Sequence, residues 1–72
     1  MSISKNISKY RKAKGFTQEE LGRILGVTNQ AVSKWESAAS MPDIMMLPQI
    51  ACALDISIEQ LYGIEKRILR KK

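Results

Sequence analysis

Three residues, Gly26-Val27-Thr28, separate two stretches in which apolar residues recur at helical spacing. Upstream, Thr17 and Glu20 form a capping box: the hydroxyl accepts from a first-turn amide and the carboxylate accepts from the amide of Thr17. That box opens a helix from Gln18 to Leu25, with Leu21, Ile24 and Leu25 as its buried stripe. Gly26 ends it in the left-handed conformation. Thr28 is the next N-cap, and Val32 and Trp35 carry the inward stripe of a helix over 28–37. So short a connection forbids antiparallel packing, so the two helices must cross steeply. Gly22, in the middle of the first helix, costs roughly 1 kcal/mol relative to Ala, and a close approach such as a crossing helix is its expected reason.

The flanking sequence supplies three more helices. Ile3, Ile7, Tyr10 and Ala13 or Lys14 trace an amphipathic helix that stops at Gly15, with Lys5, Lys9, Arg11 and Lys12 on its other face. Ala38 to Pro42 reads as a loop. Leu47, Ile50, Ala51 and Leu54 then mark a fourth helix, and Pro48 is compatible with it if the helix begins at about Met45 or Met46, where first-turn amides need no intrahelical acceptor. A second capping box, Ser57 with Gln60, opens a short fifth helix that turns Ile58 and Leu61 inward and stops at Gly63. No strand alternation, repeat or low-complexity block interrupts the pattern. The expected fold class is all-α, a compact five-helix domain over 1–63, with 64–72 as a basic C-terminal tail or the start of a linker.

A chain of 72 residues buries only about 60% of the surface that its unfolded form exposes, so one small core is all it can build. Its net charge of +5 suits a polyanionic partner. The distribution is more telling than the sum. Five cations fall between Lys5 and Lys14, five between Lys66 and Lys72, and only Arg23 and Lys34 lie between those clusters. With one cysteine and no histidine, the chain cannot build a disulfide framework, a Cys/His zinc site or a histidine-based triad. Cys52, between Ala51 and Ala53, reads as a small core residue. No glycine-rich phosphate loop or paired-carboxylate pocket suggests an enzyme, and no cofactor or metal is expected. Nothing resembles an export signal or approaches the roughly eighteen apolar residues of a membrane span, so the expected setting is cytoplasmic.

Amides, a hydroxyl and a cation on a helix surface usually mean only solvated polarity. The tight turn, the capped partner helix and the positive charge argue instead that Asn29, Gln30, Ser33 and Lys34 contact something. At this point the residues have a family likeness. Arg11, then "GFTQEELGRILGVTNQAVSKWE", "MPD" and "LPQIACALDISIEQLYG", resemble the phage-repressor and Cro-like helix-turn-helix domains of bacterial and phage transcription regulators. The likeness runs from about Ile3 to Gly63. It implies a lambda-repressor-like fold whose third helix lies in the major groove of double-stranded DNA. It assigns base reading to Asn29, Gln30 and Lys34, whose amides and ammonium suit adenine and guanine edges. It assigns DNA-backbone contacts to Gln18, Thr28 and Ser33, and a structural ion pair to Arg11 and Glu36.

Two departures from relatives stand out. Ala38 replaces a common glycine and should resist the left-handed cap. The loop from Ala39 to Asp43 lacks the cation that holds phosphate in some relatives, which leaves Ser40 and backbone amides and implies weaker binding that depends more on dimerisation. Met41, Met45 and Met46 read as packing fillers, or together as an adaptable apolar patch for a second subunit. The terminal "IEKRILRKK" has three readings: a frayed or linker segment, a dimerisation helix, or a phosphate-holding segment. The function expected is a sequence-specific regulator, a repressor in type, that binds a near-palindromic operator as a homodimer. The alternatives are an antitoxin-like DNA-binding partner of a toxin, and a protein-interaction adaptor that retains the fold without reading DNA.

Overall fold

The computed structural model describes residues 2–64, and the tail readings for 65–72 lie outside them. Five α-helices follow in order: α1 (Ile3–Lys14), α2 (Gln18–Leu25), α3 (Asn29–Glu36), α4 (Leu47–Leu54) and α5 (Ile58–Tyr62). Most of their ends are set by chemistry local in sequence. The Ser2 hydroxyl accepts from the Lys5 amide at 3.2 Å to cap α1. Both capping boxes form: Thr17 with Glu20 at 2.8 and 3.0 Å, and Ser57 with Gln60 at 2.9 and 3.0 Å. The Thr28 hydroxyl accepts from the Ala31 amide at 3.1 Å and starts α3.

Each helix gives one face to a single core. Ile7 from α1, Leu21 from α2, Val32 and Trp35 from α3, Ile50 and Leu54 from α4, and Leu61 from α5 are all buried. Ile3, Tyr10, Phe16, Leu25 and Val27 pack around them. The Asn6 side-chain amide donates to the Leu61 carbonyl at 2.9 Å, which pins α1 to α5.

Several expectations are corrected. Ile24, assigned to the buried stripe of α2, is 54% exposed. That helix is only about two turns long, and its covered strip is narrower than the apolar arc of its sequence. Ile58 is also turned outward at 37%. Cys52 is exposed rather than in the core, because Leu47, Ile50, Ala51 and Leu54 fill the covered side of α4. Among the three loop-region methionines only Met46 packs against the core, whereas Met41 and Met45 are exposed. The α4 region opens with a 3₁₀ turn at Ile44–Met46, and the α-helix proper starts at Leu47 with Pro48 in its first turn.

Gly22 and Ala38 shape the two ends of the helix pair. At Gly22 the close neighbour is the turn itself rather than a crossing helix. A Cβ there would lie 2.8 Å from the Val27 carbonyl oxygen and 3.2 Å from the carbonyl of Thr28. The Gly22 carbonyl also accepts the Val27 amide at 2.8 Å, so the backbone cannot retreat without losing that bond. Ala38 adopts the left-handed conformation that its side chain was expected to resist, with φ of 64°. Its amide donates to the Trp35 carbonyl, and the Ala39 and Ser40 amides both donate to the Lys34 carbonyl. These bonds satisfy the carbonyls at the end of α3 and hold Ala38 in a strained region.

Two substitutions to or from glycine should therefore have opposite signs. Gly22→Ala, normally favourable in a helix, should lower stability by about 1 to 3 kcal/mol because the new methyl meets backbone. Ala38→Gly should raise stability by about 1 kcal/mol through relief of the left-handed strain. Urea denaturation of the two variants measures both.

Candidate nucleic-acid interface

Val32 and Trp35 fasten α3 to the core, which turns Asn29, Gln30, Ser33 and Lys34 outward, all exposed. Gln30 and Lys34 are four residues apart, and Ser33 lies between them on the same side, so the three share a face. Asn29 and Gln30 are the first two residues of α3, where backbone amides have no intrahelical acceptor and the helix dipole is positive. Thr28 stands just before them with its oxygen accepting from Ala31, which leaves its hydroxyl proton to donate outward.

Behind this face lies a polar junction of three helices. Arg11 of α1 donates to Glu36 of α3 through Nε at 2.6 Å and Nη2 at 3.1 Å. Its Nη1 donates to the Phe16 carbonyl at 2.8 Å. Gln18, the first residue of α2, donates from Nε2 to Glu36 Oε1 at 3.0 Å. The Arg11 and Glu36 side chains are only 11% and 8% exposed, so the pair that the family likeness implies is present and largely dry. The Gln18 link could not be read from the sequence, because nothing at a separation of eighteen residues marks the two as neighbours. Gln18 keeps a second N–H that is not needed by Glu36, so an outward contact remains chemically open to it.

Burial works to raise the pKa of Glu36. The hydrogen bonds from Arg11 and Gln18, with the charges of Arg11 and Lys12, outweigh that effect and hold the carboxyl below its ordinary value.

The loop after α3 offers less than the sequence suggested. Ser40 is exposed, but the amides of Ala38, Ala39 and Ser40 are engaged by carbonyls of α3 and are not available to a ligand. The remaining outward cations among the described residues include Lys5, Lys9, Lys12 and Lys14 on α1, and Arg23, which faces Glu19 at 3.5 Å on the surface of α2. Those residues contain no cluster of three His, Cys, Asp or Glu able to hold a metal ion.

A helix-turn-helix family model matches residues 7–61. The chain belongs to the helix-turn-helix family. Its fold is that of the phage repressor domains: it superposes with a TM-score of 0.78 on the P22 c2 repressor protein in complex with synthetic operator 9T, at 31% identity, covering 85% of this chain and 92% of that one. SinR, the master regulator for biofilm formation, in complex with DNA, gives a TM-score of 0.76 at 33% identity, covering 83% and 97%. The cryptic phage CTXphi transcriptional repressor RstR of Vibrio cholerae is 35% identical over 63 residues, covering 88% of this chain and 56% of that protein. The transcriptional activator BcrR of Enterococcus faecalis is 32% identical over 68 residues, covering 94% and 33%. This helix-turn-helix chain thus spans between a third and just over half of the length of these two curated relatives.

The Glu36 junction predicts an acid-sensitive contribution to stability. A carboxyl held lower in the folded than in the unfolded chain stabilises the fold above the ordinary glutamate range, and that contribution disappears as pH falls through the folded-state pKa. Glu36→Ala should cost about 3 kcal/mol near neutral pH, because it leaves the Arg11 guanidinium nearly dry without its carboxylate. The gap between wild type and variant should narrow on acidification, as read by melting temperature against pH. An unchanged melting temperature at neutral pH would refute the structural role of the pair.

Proposed function

We propose that this chain is a sequence-specific, double-stranded DNA-binding transcriptional regulator, a repressor that acts by occupying promoter DNA in the cytoplasm. In this reading residues 1–63 are the DNA-binding domain and 64–72 a basic tail. The carrying observation is the outward face of α3, where two amides and a lysine stand at the end of a rigid helix just after a tight turn. The positive charge of the chain and its likeness to regulators solved on DNA support the same reading.

Helix α3 enters the major groove with its N-terminal end foremost. Asn29 and Gln30 present a donor and an acceptor together, as the N6 and N7 of adenine require, and Lys34 donates to guanine O6 or N7. Thr28 and Ser33 reach phosphate or sugar. Gln18 does so through the N–H that Glu36 does not use, and Ser40 through its hydroxyl alone. Two copies on a near-palindromic site place their α3 helices about one DNA turn apart. No cofactor takes part.

Selection from a random duplex pool, followed by salt-titrated binding, tests this reading. Gln30→Ala should cost about 1 to 3 kcal/mol on the selected site and relax one base position. Gln18→Ala should weaken all duplexes alike, since a phosphate contact carries no sequence information. Unaltered affinity and base preference in Gln30→Ala would refute groove reading by α3. Absence of any duplex binding would favour a protein-interaction adaptor.

A further inference from the structure

Gln18 and Gln30 both belong to the candidate DNA face, yet their side chains stand in different states. Gln18 is half-buried and donates from Nε2 to Glu36 Oε1 at 3.0 Å. Gln30 and its neighbour Asn29 are exposed, and among the described residues the side-chain bonds of the α3 segment are made by Thr28, Glu36 and Ser37 instead. We infer that Glu36 is a positioning residue for Gln18: it holds that amide in place before DNA arrives and leaves its second N–H for a phosphate. The amides of Asn29 and Gln30 stay adaptable.

The Gln18 side chain is tethered at both ends. Its backbone is the first residue of α2, where the capping box of Thr17 and Glu20 closes the turn. Its tip meets a carboxylate that cannot swing aside, because Arg11 grips both oxygens, Oε2 through Nε and Oε1 through Nη2. Charge sets which end of the amide faces inward. Burial raises the Glu36 carboxyl, but the bonds from Arg11 and Gln18 and the charges of Arg11 and Lys12 keep it below its ordinary value, so it is ionised at neutral pH. An ionised carboxylate only accepts, and therefore only the nitrogen end of the Gln18 amide can face it.

Ordering a flexible side chain at an interface weakens binding by about two- to tenfold, and here folding has already ordered Gln18. A pre-set donor suits the phosphate backbone, which every duplex carries. Base edges differ from step to step, and a mobile amide can turn either end to the edge it meets. The inference rests on the DNA-binding reading above.

Side-chain 15N relaxation of the free full chain tests whether the amide is held. The Gln18 amide should be as ordered as the α2 backbone, with S² about 0.85, and the Gln30 amide should fall below about 0.6. Equal mobility of the two amides would overturn the inference. A double-mutant cycle on a random-sequence duplex tests the coupling to DNA, with Arg11→Met/Glu36→Met as the altered background. That double variant removes one cation and one anion, so net charge is unchanged, and apolar replacement of both partners of a buried pair often leaves stability intact. Gln18→Ala should weaken binding about tenfold in the wild-type background, and less than about threefold in the altered one, where nothing holds the amide. Equal losses in both backgrounds would mean that Glu36 acts only on the fold, and would overturn the inference. If the altered background does not fold, the relaxation measurement decides alone. Absence of duplex binding by wild type defeats the DNA reading and this inference with it, whereas equal losses defeat this inference alone.

Discussion

The carboxylate of Glu36 is the point at which three helices are held in register. It is the last residue of α3, and it accepts from Arg11 of α1 and from Gln18 at the first position of α2. The same guanidinium also holds the Phe16 carbonyl, and so secures the connection between α1 and α2. A buried ion pair is a poor source of net stability, since dehydrating two charges offsets most of their attraction. Its value here is geometric. Apolar packing of Val32 and Trp35 would tolerate small rotations of α3, whereas a two-pronged guanidinium contact plus an amide tolerates little. The outward residues of α3 inherit that orientation.

Gly22 performs the complementary task at the other end of the pair. It lets the backbone at Val27 and Thr28 come within contact distance of α2, and so sets how steeply α3 leaves the turn. One end of α3 is thus fixed by the absence of a side chain and the other by a charged side chain. The exposed face between them needs no contribution of its own to folding, so its residues are free to vary without loss of the fold.

The sequence made the helix ends legible because capping is local: Thr17 with Glu20, Ser57 with Gln60, and Thr28 each act within one turn of chain. The inward roles of Val32, Trp35 and Leu61 were legible for a similar reason, since helical spacing singles them out. Ile24, Cys52, Met41 and Met45 were misread because spacing ranks residues by polarity, while burial depends on how wide a strip the neighbouring helices cover. At two turns per helix that strip is narrow. Ala38 was misread for a different reason: its own preference argued against a left-handed conformation, but three amide bonds to the Trp35 and Lys34 carbonyls override it. Of the candidate interface, the outward placement of Asn29, Gln30, Ser33 and Lys34 followed from the inward pair alone. The bond from Gln18 to Glu36 depends on how α2 and α3 cross, and no local pattern encodes it.

The bond from Asn6 to the Leu61 carbonyl brings the start and the end of the five-helix array together. A five-helix domain whose first and last helices touch is suited to circular permutation: a short bridge can join the start of α1 to the end of α5, and new ends can be opened in a surface loop. Among the loops, residues 37–43 would be the worst place to cut, because a break there frees the last carbonyls of α3.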